Sequence, residues 1–428
     1  MLIWLIGFYT LYTLLRIYLS IMQAGYIDTQ KRKKAVILPE GKYIVAGNYA
    51  IAKEKLSIVE SLVEYAMFLW WVLYGFGLLQ RVVGIDSGIV SSVLFVMGYF
   101  ALNFIVSLPL DIYSRFVLDE SFGFNKTTPR TFVMDTLKSS ILFVIFGGAI
   151  FSALSWILEH MQNWWLWGFI FVFAVILLIN LIYPTLIAPI FNKFTPLEDG
   201  ELKDAIEKMM ERVGLQSDGI FVMDASKRDS RLNAYFGGLG KSRRVVLFDT
   251  LLQKLEEKEL LAVLGHELGH YRHGDIWKNI ALSGLFVFVL FYIFGHIPQS
   301  LYTELDTVPT PGVTIALISI GMPLLGFIYT PLSSLISRHN EYEADRFGCE
   351  LGGRENLVSA LLKLVRENKA FPKSDPIYSR FYHTHPPILE RLEALGYDIH
   401  DTEEEPTPGE SPKDGIFSFI SGDTEKER

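Results

Sequence analysis

Seven apolar runs, each long enough to cross a bilayer core that takes about 20 helical residues, constrain this chain more than any other feature. They lie approximately at Leu2–Met22, Leu62–Leu79, Gly88–Leu110, Ser139–Leu158, Trp165–Ile187, Ala281–Ile297 and Val313–Ile336. The sixth is the shortest. The competing reading, buried helices of a large soluble core, fits poorly with a mean hydropathy of +0.29. It also leaves unexplained why Trp70, Trp71, Trp156, Trp164 and Trp165 cluster near run ends, where membrane proteins carry their interfacial aromatics.

Charge gives the orientation. The connection after the first run holds Lys31, Arg32, Lys33, Lys34, Lys42, Lys53 and Lys55, and that after the third holds Arg115, Lys126, Arg130 and Lys138. The connections after runs two, four and six share only Arg81. Cytoplasmic loops are the Lys/Arg-rich ones. The N-terminus is therefore expected outside, with the odd-numbered loops and the C-terminus in the cytoplasm. The first run has no basic segment before it and is too long for a signal-peptide core, so it reads as a retained span.

The single cysteine, Cys349, excludes an intramolecular disulfide and a thiolate metal cluster. A net charge of −8, with no basic aromatic groove, argues against a nucleic-acid partner. The chain divides into a membrane region, 1–190, and a polar stretch, 191–280. Spans six and seven fill 281–336, a second polar stretch covers 337–400, and 401–428 is expected to be a disordered acidic tail. The first polar stretch reads as an amphipathic helix near Glu201–Val213, strands at Ile220–Met223 and Arg244–Phe248, then a helix around residue 266. The second holds helical patterns at Arg338–Leu351 and Glu355–Asn368 and a helix from about Pro387. Two crossings separate the polar stretches, so both lie on one face of the membrane and can build one site.

The chemistry is in His266-Glu267-Leu268-Gly269-His270. Histidines four apart share a helix face, so both imidazoles can meet one metal ion, while the intervening Glu turns toward its open position. This is the H-E-x-x-H arrangement of zinc proteases, with the Glu as general base and not a ligand. Gly265 and Gly269 are poor helix formers; they keep the helix bare for an approaching backbone, here expected to be the substrate's. A catalytic zinc usually takes three protein ligands. A third histidine in H-E-x-x-H-x-x-G-x-x-H is ruled out, because His273 stands at the Gly position and Ile276 at the His position. A Glu from a second helix is the alternative, and Glu341 and Asp345 share a helix face. One could bind metal and the other accept the free N–H of a ligand imidazole. An acidic face that is merely solvated stays open on spacing alone. His273 and Asp275 are expected at the surface, and Asn103 and Asn180, inside apolar runs, either face a chamber or bond between helices.

These segments, with Glu341-Tyr342-Glu343-Ala344-Asp345 and His385-Pro386-Pro387 followed by Glu390-Arg391-Leu392, resemble the Ste24-type M48 metallopeptidases, the CAAX prenyl protease 1 family. So do Asn233-Ala234-Tyr235-Phe236, Val245-Val246-Leu247-Phe248-Asp249-Thr250 and Gly123-Phe124-Asn125-Lys126. The resemblance implies a mostly α integral membrane protein, seven transmembrane helices enclosing a chamber, closed on the cytoplasmic side by a gluzincin-like α+β zinc protease domain. It implies one Zn²⁺ held by His266, His270 and Glu341, Glu267 as general base and Asp345 behind the ligands. His385 would steady the oxyanion and Asn233 the substrate backbone. His383, two residues from His385, competes for the oxyanion role, but only His385 carries the Pro-Pro signature; His383 is expected exposed. The partners implied are membrane lipid and a peptide or protein substrate, prenylated at a CAAX C-terminus or membrane-associated. The chain ends Thr424-Glu425-Lys426-Glu427-Arg428, without a dilysine retrieval signal, which favours a bacterial inner membrane over the endoplasmic reticulum. A shorter HtpX-like quality-control protease and a non-catalytic membrane scaffold are the other classes. Seven runs and the His385 segment count against the first of these, and an intact ligand set against the second.

Overall fold

A computed structural model describes residues 1–84, 88–215, 218–238 and 244–399; the expected acidic tail lies outside the described residues. Among these, seven helices are long and apolar enough to cross a membrane: Leu2–Lys31, Glu40–Val83, Ile89–Asp119, Pro129–His160, Trp164–Phe191, Asp275–Gly295 and Pro311–Gly352. All seven apolar runs fall on them. Several helices continue well beyond the apolar run, because helix geometry does not stop at the lipid boundary. The seventh is the clearest case: its span and the expected separate helix near Arg338–Leu351 are one 42-residue rod, about 63 Å long at 1.5 Å per residue. Large apolar side chains such as Ile3, Trp4, Phe8, Leu11 and Leu14 point outward, the reverse of a soluble protein and as lipid requires.

Between spans one, two, three and seven lies a cavity of ≈ 840 Å³. Its lining mixes aromatic rings (Tyr9, Phe68, Trp71, Tyr99) with Arg16, Glu60, Glu64, Asn103 and Asp111, and it reaches Tyr382 in the protease part. Arg16 is ion-paired to Glu64 across it. Asn103 faces this cavity and also accepts from the Trp71 indole N–H at 3.3 Å, so both alternatives for it hold. Asn180 instead returns its amide to Ile176 O at 2.8 Å.

The protease part carries a four-stranded sheet in the order β1-β2-β4-β3, with β1 at Phe194–Pro196, β2 at Ile220–Met223, β3 at Ala234–Gly237 and β4 at Arg244–Phe248. Strands β2 and β4 run parallel, with Ile220 opposite Val245, and β1 and β3 pair antiparallel on the outside. The two inner strands are those expected from the sequence, Ile220–Met223 and Arg244–Phe248, each carrying β-branched residues. The outer two were not legible, since β1 is three residues ending in Pro196 and β3 ends in Gly237. Side chains alternate across a strand: Val245 and Leu247 join Ile206, Leu251, Leu260, Leu264 and Leu268 in one core, and Val246 faces Met223 and Ala225 on the other side. That core sets the motif helix, Glu257–Arg272, on the sheet.

The motif helix also packs along the C-terminal end of the seventh rod. A methyl group on Gly269 would sit 2.8 Å from Ala344 Cα, and one on Gly348 3.0 Å from His266 N. The glycines therefore admit the backbone of the seventh rod, not the substrate as expected. This close approach is what brings Glu341 to the histidines.

Candidate metal centre

His266 and His270 project from one face of the motif helix, with Nε2 atoms 3.2 Å apart. Glu341, buried on the seventh rod, brings Oε1 to 3.2 Å from His270 Nε2 and Oε2 to 3.6 Å from His266 Nε2. One atom from each residue falls within 4.8 Å of the others. A tetrahedral Zn²⁺ with bonds near 2.0–2.1 Å has ligand–ligand edges of about 3.3–3.4 Å, close to all three separations. The far side of each imidazole is tied to a carboxylate: His266 Nδ1 to Asp345 Oδ1 and His270 Nδ1 to Asp275 Oδ2, both at 2.8 Å. Each Nδ1 then carries the hydrogen and each Nε2 presents a lone pair. Two lone pairs 3.2 Å apart repel unless a proton or a metal ion lies between them. Glu341 Oε2, buried, has no hydrogen-bond partner. The donor set therefore fits a divalent metal.

Arg391, from the helix Ile388–Ala394, completes the site and had no signal in the spacing. It is buried, forms a two-pronged pair with Asp345 at 2.8 and 2.6 Å and lies 3.3 Å from Glu341 Oε2. Burial opposes its charge, but Asp345 and Glu341 hold its guanidinium firmly protonated. Asp275 was expected at the surface and is buried, accepting from His270 and from Lys278 Nζ at 2.7 Å. It escaped notice because Gly274, at φ +68°, turns the chain back between the motif helix and the sixth span. His273 is half-buried, its ring 6.0 Å from that of Phe347.

The remaining residues sit as follows. Glu267 is half-buried on the motif helix, where its charge acts on His270 and Arg391. His385 is exposed and points Nδ1 at Glu341 Oε1, 2.8 Å away. His383 is not exposed as expected but half-buried: its ring lies edge-on to Tyr378, and its carbonyl accepts from Arg338 at 3.0 Å. Burial, then the Arg338 charge, lower its pKa to about 4, leaving a neutral ring beside Tyr378. Asn233 is exposed at the start of β3, with its side chain accepting from Ala234 N at 2.9 Å. For His270, burial lowers the pKa, but the Glu341 and Asp275 carboxylates outweigh it and raise it to about 9.

Comparison with known proteins agrees with this architecture. Residues 31–193 match the CAAX prenyl protease N-terminal model, described by five membrane helices, and residues 196–399 match peptidase family M48. The chain is 39% identical to CAAX prenyl protease 1 of Saccharomyces cerevisiae over 82% of its own length and 84% of the relative's. A CAAX prenyl protease 1 homolog of Arabidopsis thaliana is 32% identical, with 91% and 96% covered. The crystal structure of S. mikatae Ste24p superposes with a TM-score of 0.83 at 34% identity, covering 91% of this chain and 97% of that one. Seven membrane-length helices, a small sheet and a His-His-Glu cluster thus coincide with likeness over nearly the whole length, and the chain belongs to the Ste24-type M48 family of integral membrane metalloendopeptidases.

Proposed function

We propose that His266, His270 and Glu341 hold one zinc ion per chain and that Glu267 is the general base of peptide hydrolysis. The observation that carries this is the cluster of three ligand atoms within 4.8 Å, with both imidazole Nδ1 atoms already committed to carboxylates. Zinc, when bound, supplies Lewis acidity at its open position, easing deprotonation of water and polarising the scissile carbonyl. Glu267 takes the water proton as the carbonyl is attacked and returns it to the leaving amine. His385 donates to the oxygen that becomes negative; its reach is supported by the 2.8 Å contact with Glu341. Asp345 and Asp275 hold the ligand rings in the right tautomer. Asn233 and the outer edge of β3 take the substrate backbone as an added strand, a reading supported by β3's place at the sheet edge.

For substrate, the relatives' name, CAAX prenyl protease 1, favours C-terminal tripeptides of prenylated proteins, with membrane-associated peptides as the wider class. The Lys/Arg-rich loops after spans one and three favour a catalytic face in the cytoplasm.

The test uses the purified full chain in lipid. It compares a farnesylated CAAX peptide, the same peptide unmodified and an unfolded membrane protein. We expect one zinc per chain, cleavage of the farnesylated peptide, and a Glu267→Gln protein that keeps zinc but loses turnover by about 10²–10⁴-fold. Near-normal peptidase activity in Glu267→Gln would remove the residue from this role. Preferential cleavage of the unfolded membrane protein would move the chain to the quality-control class.

A further inference from the structure

The polypeptide that leads into β3 is stitched to a membrane-helix loop. Segment 228–230 pairs with segment 124–126: Lys126 N donates to Arg228 O at 3.0 Å, Ser230 N to Phe124 O at 3.1 Å, and Asn125 and Asp229 form an antiparallel bridge. Arg231 closes the junction. One guanidinium nitrogen lies 2.7 Å from Asp119 Oδ1 at the end of the third span, which also accepts from Tyr49 of the second span at 2.8 Å. Another is paired to Asp229. The guanidinium carbon stands 4.1 Å from the centroid of the Phe124 ring, which is buried and has Lys369 Nζ 4.8 Å away. The next residue, Leu232, donates its N–H to Asn368 Oδ1 at 2.8 Å and accepts at its carbonyl from Asn368 Nδ2 at 3.2 Å. Asn233 and β3 follow at once. The far end of β3 meets the fifth span, where a methyl group on Gly237 would lie 3.3 Å from Pro184 Cβ.

A single edge strand is therefore anchored at its start to spans two and three and at its end to span five, whereas the metal ligands come from the motif helix and span seven. We propose that Arg231 is a positioning residue for substrate: clasped by Asp119, Tyr49 and Phe124, it fixes Asn233 and β3 at one set place between the membrane helices and the metal centre. This rests on the reading that the outer edge of β3 receives the peptide backbone. Loss of the clasp leaves the ligands and Glu267 untouched and lets the receiving strand drift. Misplacement of a positioning element by about 1 Å costs up to about a hundredfold, and here the cost falls on binding.

The experiment measures binding and turnover separately on the full chain in lipid. A fluorescent peptide is titrated onto the catalytically silent Glu267→Gln protein, with and without Arg231→Ala, Arg231→Lys or Asp119→Asn. The same substitutions in the active protein give kcat and KM. We expect Arg231→Ala to weaken peptide binding and raise KM by about tenfold or more, with kcat within about threefold and zinc content unchanged. Arg231→Lys, which keeps a cation beside Asp119, should recover most of the loss. Asp119→Asn with Arg231→Ala together should cost no more than the worse of the two alone, since both act through one contact. If Arg231→Ala fails to fold, Arg231→Lys and Asp119→Asn carry the same comparison. Unchanged binding in the variants, or additive losses, overturns the proposal. Cleavage surviving in Glu267→Gln instead overturns the catalytic reading and leaves the binding result to judge Arg231.

Discussion

Arg391 and Asp345 form a buried two-pronged ion pair, at 2.8 and 2.6 Å, whose carboxylate also accepts from His266 Nδ1 at 2.8 Å. The relay Arg391–Asp345–His266 runs from a helix late in the chain, through the seventh rod, to the motif helix. It fixes the tautomer of His266 from a residue that the family resemblance included, in Glu390-Arg391-Leu392, without giving it a role. A second relay, Lys278–Asp275–His270, does the same for the other imidazole.

Removing the guanidinium leaves Asp345 as a buried charge without its counter-ion. Such a loss costs about 3–5 kcal/mol, and groups behind metal ligands are worth about 10–100-fold in metal affinity. Arg391→Met should therefore lower the unfolding temperature and release zinc to a chelator that the unaltered protein resists. Equal zinc retention by the two proteins would show that Asp345 does not need the pair.

Asp275→Ala acts on the second relay without disturbing the first. His270 then has no acceptor for Nδ1, and zinc affinity should fall by about 10–100-fold. The protein should stay folded, because Asp275 lies at the helix–span corner, away from the core of the sheet. Competition with a metallochromic chelator reads this directly.

The two neighbouring histidines should separate cleanly. His385 faces the ligands and His383 faces Tyr378. Losing one oxyanion donor costs about 10²–10³-fold in kcat, so His385→Ala should fall by that order with zinc retained. His383→Ala should keep kcat within a few-fold and show its effect in stability. The reverse pattern in single-turnover assays would exchange their roles.

Much of this was legible because it is periodic or local. Seven apolar runs need only length and hydropathy, and His266-Glu267-Leu268-Gly269-His270 needs one helix turn. The i, i+4 rule put Glu341 and Asp345 on one helix face, but spacing alone left a merely solvated face open, and the separate roles of the two came only with the family resemblance. What stayed hidden depends on chain segments meeting from afar. Asp275 looks like a surface residue until Gly274 folds it back under His270. Arg391 lies 46 residues from Asp345. Strand β3 exists because β4 offers it an edge, and its own residues show no alternation.

The glycine face makes the helix–helix contact testable. Gly269→Ala places a methyl group 2.8 Å from Ala344 Cα, backbone that cannot swing aside. Overpacking of this kind costs about 1–3 kcal/mol and must widen the gap between the motif helix and Glu341. Zinc content and the unfolding temperature should fall together. The loss should exceed that of Ala262→Gly on the same helix, which opens space and does not close it.

Between neutral and mildly alkaline pH the titration that bears on the site is that of His270. Its pKa rises from 6.5 to about 9 because, against the cost of burial, the Glu341 and Asp275 carboxylates favour the charged ring. In protein stripped of metal by a chelator, a pKa raised on folding adds stability that is fully present below 6.5 and disappears as pH climbs through about 9. The contribution is on the order of 3 kcal/mol. Metal must displace that same proton, so zinc affinity should strengthen with pH across this window. Stripped protein should thus lose melting temperature between pH 6.5 and 9 while loaded protein does not, and the gap between the two should widen. Calorimetry of both forms in buffers of different ionisation enthalpy should also detect close to one proton released per zinc near pH 7. A constant gap and no proton release would mean that His270 is already neutral in the stripped site and that the two carboxylates do not govern its charge.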